Sequence, residues 1–179
     1  MHAPLQLKTD YLNVLMDIAS ERTRDRGSRV YEIELGISIR DVRLLRMIGG
    51  APGITIGQLV QTCGIEKTLV SKLVSSLVQR QLVERHVGTE DARQICLCLS
   101  ESGLDMVLRA EPLGHEMELR FLDTLSAAEV DSLHRILRKL IDSEERTRDI
   151  FEFLLQQLRE SKESPPAPVP PSSAPSRKK

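Results

Sequence analysis

Lys67, Thr68, Ser71, Lys72 and Ser75 recur at helical spacing, all small or basic, and the sole carboxylate near them is Glu66 at the very start. Solvated helix faces normally mix Glu with Lys so that opposite charges pair along the helix. A face of short hydroxyls and lysines suits a DNA groove instead, where hydroxyls approach base edges and ammonium groups meet phosphates. Other groupings offer weaker chemistry. Cys96 and Cys98 stand two apart, so on a strand they share one face, and a disulfide between them is awkward in extended backbone. Cys63 falls among apolar positions and reads as core. Glu111, His115 and Glu118 have helical spacing that brings three metal-ligand types together. Pro112 intervenes, however, and no second histidine is near; His134 stands on an otherwise ordinary helix. No Gly-rich phosphate loop or nucleophile elbow is present. The chain therefore reads as a non-enzyme, with no metal and no cofactor expected.

The elements that must position the polar face follow from periodicity. Thr55-Ile56-Gly57-Gln58 is a capping box that opens a short helix over about 56–62, its buried side Leu59, Val60 and Cys63. Gly64 permits a sharp reversal, and a second helix runs over about 66–81 with Leu69, Val70, Leu73, Val74, Leu77 and Val78 inward. Two helices joined through such a turn make a helix-turn-helix. Leu82 to Val87 then reads as a strand, Gly88 to Ala92 as a turn, and Gln94 to Leu99 as a second strand with Ile95, Leu97 and Leu99 on one face. A hairpin directly after a helix-turn-helix is a wing, whose tip reaches a neighbouring minor groove where Arg is favoured.

Around this centre the chain is helical. Leu7, Tyr11, Leu12, Leu15, Ile18 and Ala19 mark an N-terminal helix expected to fade in the charged run Glu21 to Arg29. Ser38-Ile39-Arg40-Asp41 caps a helix with Val42, Leu45 and Ile48 inward and Gly49-Gly50 closing it. Another starts after Ser100 and is expected to kink or break at Pro112. Ser126-Ala127-Ala128-Glu129 is a third capping box, followed by an apolar stripe to Ile141, a polar break, and further apolar positions from Ile150 to Leu158. A continuous helix over about 127–160 is too long for one small domain to cover, which points to a second copy of the chain as partner. The Pro-rich segment from Ser164, ending in Arg177-Lys178-Lys179, reads as a disordered basic tail.

Composition sets the bounds. The chain has 179 residues and a net charge of −1, but eight basic and six acidic residues fall in 40–103 against eight and thirteen in 104–160. A mildly basic middle between acidic flanks is a weak nucleic-acid footprint in itself. Aromatics at 3%, without Trp, weigh against a base-stacking platform for single strands. No apolar run is long enough to span a membrane and no apolar region follows a basic start, so the expected location is the cytoplasm with no membrane partner.

Over about 38–140 the sequence resembles the MarR (multiple antibiotic resistance regulator) family of winged-helix transcription factors. Asp91-Ala92-Arg93, followed by Leu97-Cys98-Leu99-Ser100-Glu101-Ser102-Gly103, is similar to the family's D-x-R wing running into its last strand and next helix. Gly64 through Val74 resembles the recognition helix, with Leu77 and Leu82-Val83-Glu84-Arg85 in matching places, and Leu125 to Glu129 resembles the start of the dimerising last helix. Glu66, Leu69 and Ser100 depart from the family's usual residues.

The resemblance implies a mostly α fold with a small β-wing: an N-terminal dimerisation helix over 1–37, a winged helix-turn-helix DNA-binding domain over 38–100, C-terminal dimerisation helices over 101–160, and the tail over 161–179. It implies a homodimer on a pseudo-palindromic double-stranded operator, with Lys67, Thr68, Ser71, Lys72 and Ser75 at the major groove and phosphates. Arg93 would enter the minor groove, its guanidinium held by Asp91. It also implies a repressor released by a small aromatic or phenolic acid, with Tyr11, Arg43, Met47 and Phe121 as pocket candidates. The alternatives are a thiol-responsive regulator using Cys96 and Cys98, and a winged helix used for protein–protein contact.

Overall fold

The computed structural model describes residues 7–88 and 94–163. Among them are helices α1 (Leu12–Leu35), α2 (Ile39–Gly50), α3 (Ile56–Cys63), α4 (Lys67–Gln79), α5 (Glu101–Phe121), α6 (Ala127–Asp142) and α7 (Glu144–Glu163). The strands are β1 (Ile54–Thr55), β2 (Val83–Val87) and β3 (Ile95–Leu99). They form one antiparallel sheet in the order β1-β3-β2, with Val83 opposite Leu99, Arg85 opposite Leu97, and Ile54 opposite Leu97 on the other edge. The two-residue β1 lies where sequence showed only a turn and a cap, because a strand that short has no periodicity to read. The chain divides into two compact units, residues 1–124 and 125–179. No helix among the described residues is long and apolar enough to cross a membrane.

In the first unit, α2 lies at the centre. Its capping box is complete: the Ser38 hydroxyl accepts the Asp41 N–H at 3.2 Å, and the Asp41 carboxylate accepts the Ser38 N–H at 3.0 Å. Val42, Leu44, Leu45 and Ile48 are buried, joined in the core by Leu59, Val70, Val74, Leu77, Leu82, Val83 and Leu97. The inward stripes of α2 and α4 thus converge with one face of β3, as their spacing requires.

Three local expectations are corrected. Helix α1 does not fade at 21–29 but runs unbroken to Leu35, where Gly36 at φ 68° caps it and donates its N–H to the Glu32 carbonyl. Arg and Glu are good helix formers, and tertiary packing at buried Gly27 and Tyr31 anchors this half. Helix α5 is not interrupted at Pro112. Proline withholds one N–H from the ladder, at a cost of about 3 kcal/mol, yet contacts hold the helix around it. Ala110 is buried, the Arg46 guanidinium donates to the Ala110 carbonyl at 3.3 Å, and it pairs with Glu111 at 2.9 Å. Burial, the dominant influence, raises the Tyr31 phenol above its usual range against the opposing effect of the neighbouring Arg46.

In the second unit, the expected continuous helix is two helices. Ser143 ends α6 with its hydroxyl bonded to the Leu140 carbonyl at 2.9 Å, and α7 begins at the next residue. A serine side chain that takes a backbone carbonyl competes with helix continuation. The third capping box is present, Ser126 with Glu129, but α6 buries none of its residues.

Candidate nucleic-acid interface

The helix-turn-helix is built by two caps and a turn. The Thr55 hydroxyl accepts the Gln58 N–H at 3.3 Å and the Gln58 side chain accepts the Thr55 N–H at 2.9 Å, which fixes where α3 starts. Gly64 takes φ 62°, a backbone state that disfavours side chains with a Cβ, and so ends α3 and turns the chain. Glu66 then caps α4, its two carboxylate oxygens accepting the N–H groups of Thr68 at 2.8 Å and Leu69 at 3.1 Å. Those bonds, the one from the Thr68 backbone first, hold the Glu66 carboxyl below the ordinary carboxylate range. Glu66, the acidic residue at the start of this helix, is therefore engaged by the helix N-terminus.

Burying Val70, Val74 and Leu77 turns the opposite side of α4 outward. Lys67, Thr68, Lys72 and Ser75 are exposed there, and Ser71 is half-buried with its hydroxyl donating to the Lys67 carbonyl at 3.0 Å. All five sequence-predicted residues of this helix lie together. Helix α4 ends at Gln79, two residues earlier than periodicity suggested, because Gln81 adopts φ 59° to hand the chain to β2. The other two predicted contacts, Asp91 and Arg93, lie outside the described residues.

One neighbour was missed by sequence reasoning. Arg85, on β2, donates to the Ser75 hydroxyl at 3.1 Å and so adds a guanidinium beside the α4 face. Its signal was strand alternation: Arg85 shares a face with Val83, and that face meets α4. The stem of the wing is pinned at its base, where the Ser100 hydroxyl accepts the Gly103 N–H at 3.0 Å and donates to the Gln81 carbonyl at 2.5 Å. Gly103 is obligatory in this contact, since a Cβ would collide with the Leu82 carbonyl oxygen.

The four pocket candidates each have their own setting. Tyr11 is exposed, with the Lys8 ammonium 5.1 Å above its ring. Arg43 donates to the Cys63 carbonyl at 3.4 Å, at the C-terminal end of α3 where a cation is favoured. Met47 packs half-buried on the core, and Phe121 is exposed at the last position of α5. Cys63 is buried as expected, and Cys96 and Cys98 are free, half-buried thiols. Glu111, read as a possible ligand beside His115, is the ion-pair partner of Arg46.

With this geometry in place, comparison with known proteins adds a family likeness. The sequence model of the MarR family matches residues 35–94, which spans α2, the helix-turn-helix and the first wing strand, β2. This segment of the chain is similar to the MarR family. MarR-family proteins are DNA-binding regulators and not enzymes. The transcriptional regulator HosA of Escherichia coli is 26% identical over 100 residues, covering 56% of this chain and 74% of HosA. The E. coli MarR variant crystallised with operator DNA has the same fold, with a TM-score of 0.65 at 22% identity over 72% of this chain and 92% of that one. The Mycobacterium tuberculosis MarR-family protein Rv2887, crystallised with p-aminosalicylic acid, matches with a TM-score of 0.60 at 22% identity, covering 73% of this chain and 98% of Rv2887.

Proposed function

We propose that this chain is a homodimeric repressor of the MarR family that reads double-stranded DNA and is released by a small aromatic or phenolic acid. The observation that carries the reading is the exposed side of α4, where Lys67, Thr68, Lys72 and Ser75 stand together and the nearby Glu66 carboxylate is engaged as a cap. In this reading α4 enters the major groove, with Ser71 beside it, while Arg93, oriented by Asp91 through a charge-assisted bond, enters the minor groove. The E. coli MarR variant bound to operator DNA supports the reading at the level of fold.

The segments 1–37 and 101–160 are assigned to dimerisation around the 38–100 winged helix, with 161–179 as a tail. Exposed Leu133, Ile136 and Leu140 on α6 support a second copy as the partner. Two-fold symmetry then calls for a pseudo-palindromic operator with half-sites about one helical turn apart. An effector acts by favouring a dimer whose recognition helices no longer match the groove spacing. Tyr11, Arg43, Met47 and Phe121 are the residues assigned to it, and the p-aminosalicylic acid complex of Rv2887 supports an aromatic acid as its class. The cytoplasm is the compartment this function requires.

The test is selection of genomic fragments by the purified protein at several salt concentrations, beside Arg93→Ala and Lys72→Ala. The expected result is a pseudo-palindrome, bound less tightly as salt rises, with Lys72→Ala lowering the salt slope by about one. Arg93→Ala is expected to lose the enrichment. No enrichment over bulk DNA, with both variants indistinguishable from the parent, overturns the reading and moves the winged helix to protein–protein contact.

A further inference from the structure

Helix α7 comes after α6, the helix whose start resembles the family's last. The operator-bound MarR variant and Rv2887 are spanned over 92% and 98% of their lengths, yet more than a quarter of this chain lies beyond the match. On α7, Phe151 is 60% exposed, Leu154 46% and Leu158 52%. These residues continue a stripe begun on α6. With Leu133 and Leu140 at the d positions of a heptad and Leu137 at a, the same count puts Leu154 at d and Phe151 and Leu158 at a. The backbone keeps that count. The Ser143 N–H donates to the Lys139 carbonyl at 3.2 Å and the Thr147 N–H to the Ser143 carbonyl at 3.0 Å, so the helical phase carries through Ser143. Glu144 falls at the a position between the two apolar stretches, and its carboxylate accepts from Arg148 Nε at 3.2 Å, within its own helix.

We propose that α7 pairs in parallel with α7 of a second copy, as a coiled coil that continues the α6 stripe. The pairing presupposes the homodimer reading, not the DNA reading. Charge selects the direction. In a parallel pair each g position meets the partner's e position five residues on. Ser143, Ile150 and Gln157 then meet the partner's Arg148, the partner's Leu155 and the partner's Lys162, and no like charges face each other. An antiparallel pair either sets Arg148 against the partner's Lys162 or seats Leu158 on the partner's Thr147. Charge also disfavours a lipid surface as the occupant. Residues 144–163 hold six acidic against four basic side chains, whereas helices that lie in a membrane interface are rich in Lys and Arg.

The experiment sediments the full-length protein over a range of concentrations, as the parent and as the paired change Phe151→Asp with Leu158→Asp. The expected result is a dimer dissociation constant raised about a hundredfold. A second arm leaves the apolar stripe intact. Ser161→Cys, at a d position, is expected to form a disulfide between position 161 of the two copies under mild oxidation, mapped by peptide mass spectrometry. Gln156→Cys, at the outward f position, is expected to form none. A dissociation constant equal to the parent's, or cross-linking of Gln156→Cys as fast as Ser161→Cys, overturns the pairing. A parent tetramer that the paired change reduces to dimers assigns α7 to a contact between dimers and overturns it as well. So does retention of the parent on phosphatidylglycerol vesicles that the paired change abolishes. A parent that is monomeric at every concentration overturns the homodimer reading and the pairing together. A dimer lost in Ile136→Asp with Leu140→Asp but kept in the α7 variant overturns the pairing alone.

Discussion

Helices α2 and α6 are written in the same sequence grammar and meet opposite fates. Each opens with a complete capping box, Ser38 with Asp41 and Ser126 with Glu129, and each carries aliphatic residues three and four apart. In α2, Val42, Leu45 and Ile48 are at most 1% exposed, whereas in α6, Leu133, Ile136 and Leu140 are 37%, 47% and 44% exposed. Periodicity states which face of a helix is apolar; it does not state what covers it. For α2 the cover comes from α1, α3, α4, α5 and β3 of the same unit. For α6 the proposed cover is a second copy of the chain.

The comparison is sharpest where one substitution has two outcomes. Leu45→Ala should cost about 2–5 kcal/mol of stability in denaturant unfolding, since it opens a cavity in a closed core. Leu140→Ala should leave the unfolding of monomeric protein within about 0.5 kcal/mol of the parent. Equal losses at both positions would show that α6 is covered within its own chain. The paired change Ile136→Asp with Leu140→Asp should weaken self-association about a hundredfold, roughly 2.7 kcal/mol, by placing charge in the interface. Sedimentation against protein concentration reads this directly, and an unchanged dimer would place the interface elsewhere.

Smaller effects probe the devices that hold the first unit together. Gly103→Ala should cost about 1–3 kcal/mol, because the added Cβ meets the Leu82 carbonyl where α5 leaves the sheet. A melting temperature equal to the parent's would mean that this contact yields freely. Ser38→Ala should cost about 1 kcal/mol through loss of the α2 cap, read from the same denaturant curves. The last effect is acid dependence. Glu66 and Glu129 are held below their ordinary carboxylate range, by bonds led by the Thr68 backbone N–H and the Ser126 hydroxyl respectively. Their contribution is therefore full above the unfolded carboxylate range and is lost as pH falls through the lowered folded values. Glu66→Gln and Glu129→Gln should each flatten the acid limb of a stability–pH curve, and an unaltered limb would remove those caps from the account.

Local chemistry made much of the fold legible before any coordinates. The three Ser/Thr capping boxes, the turn at Gly64 and the alternation at Ile95, Leu97 and Leu99 are short-range features whose cause lies within a few residues. Each appears in the structure where the sequence places it. The α4 face was legible for the same reason, since its inward stripe fixes its outward side. Two of the errors, in α1 and α5, fell where distant contacts override local preference. Pro112 stays inside α5 because Arg46, more than sixty residues away, bonds the helix on the adjoining turn. The charged run of α1 stays helical with Gly27 and Tyr31 anchored in the unit.

What the amino-acid sequence determined alone is where the capped helices start, which faces turn inward and a carboxylate-poor helix surface, because hydrogen-bond capping and side-chain period act over a turn or two. The tertiary structure decided which faces are closed, since burial depends on a partner that no local pattern names. It decided that β1 exists, because two residues become a strand only against β3. It also brought Arg85 to Ser75, since strand register is fixed by the pairing of the whole hairpin.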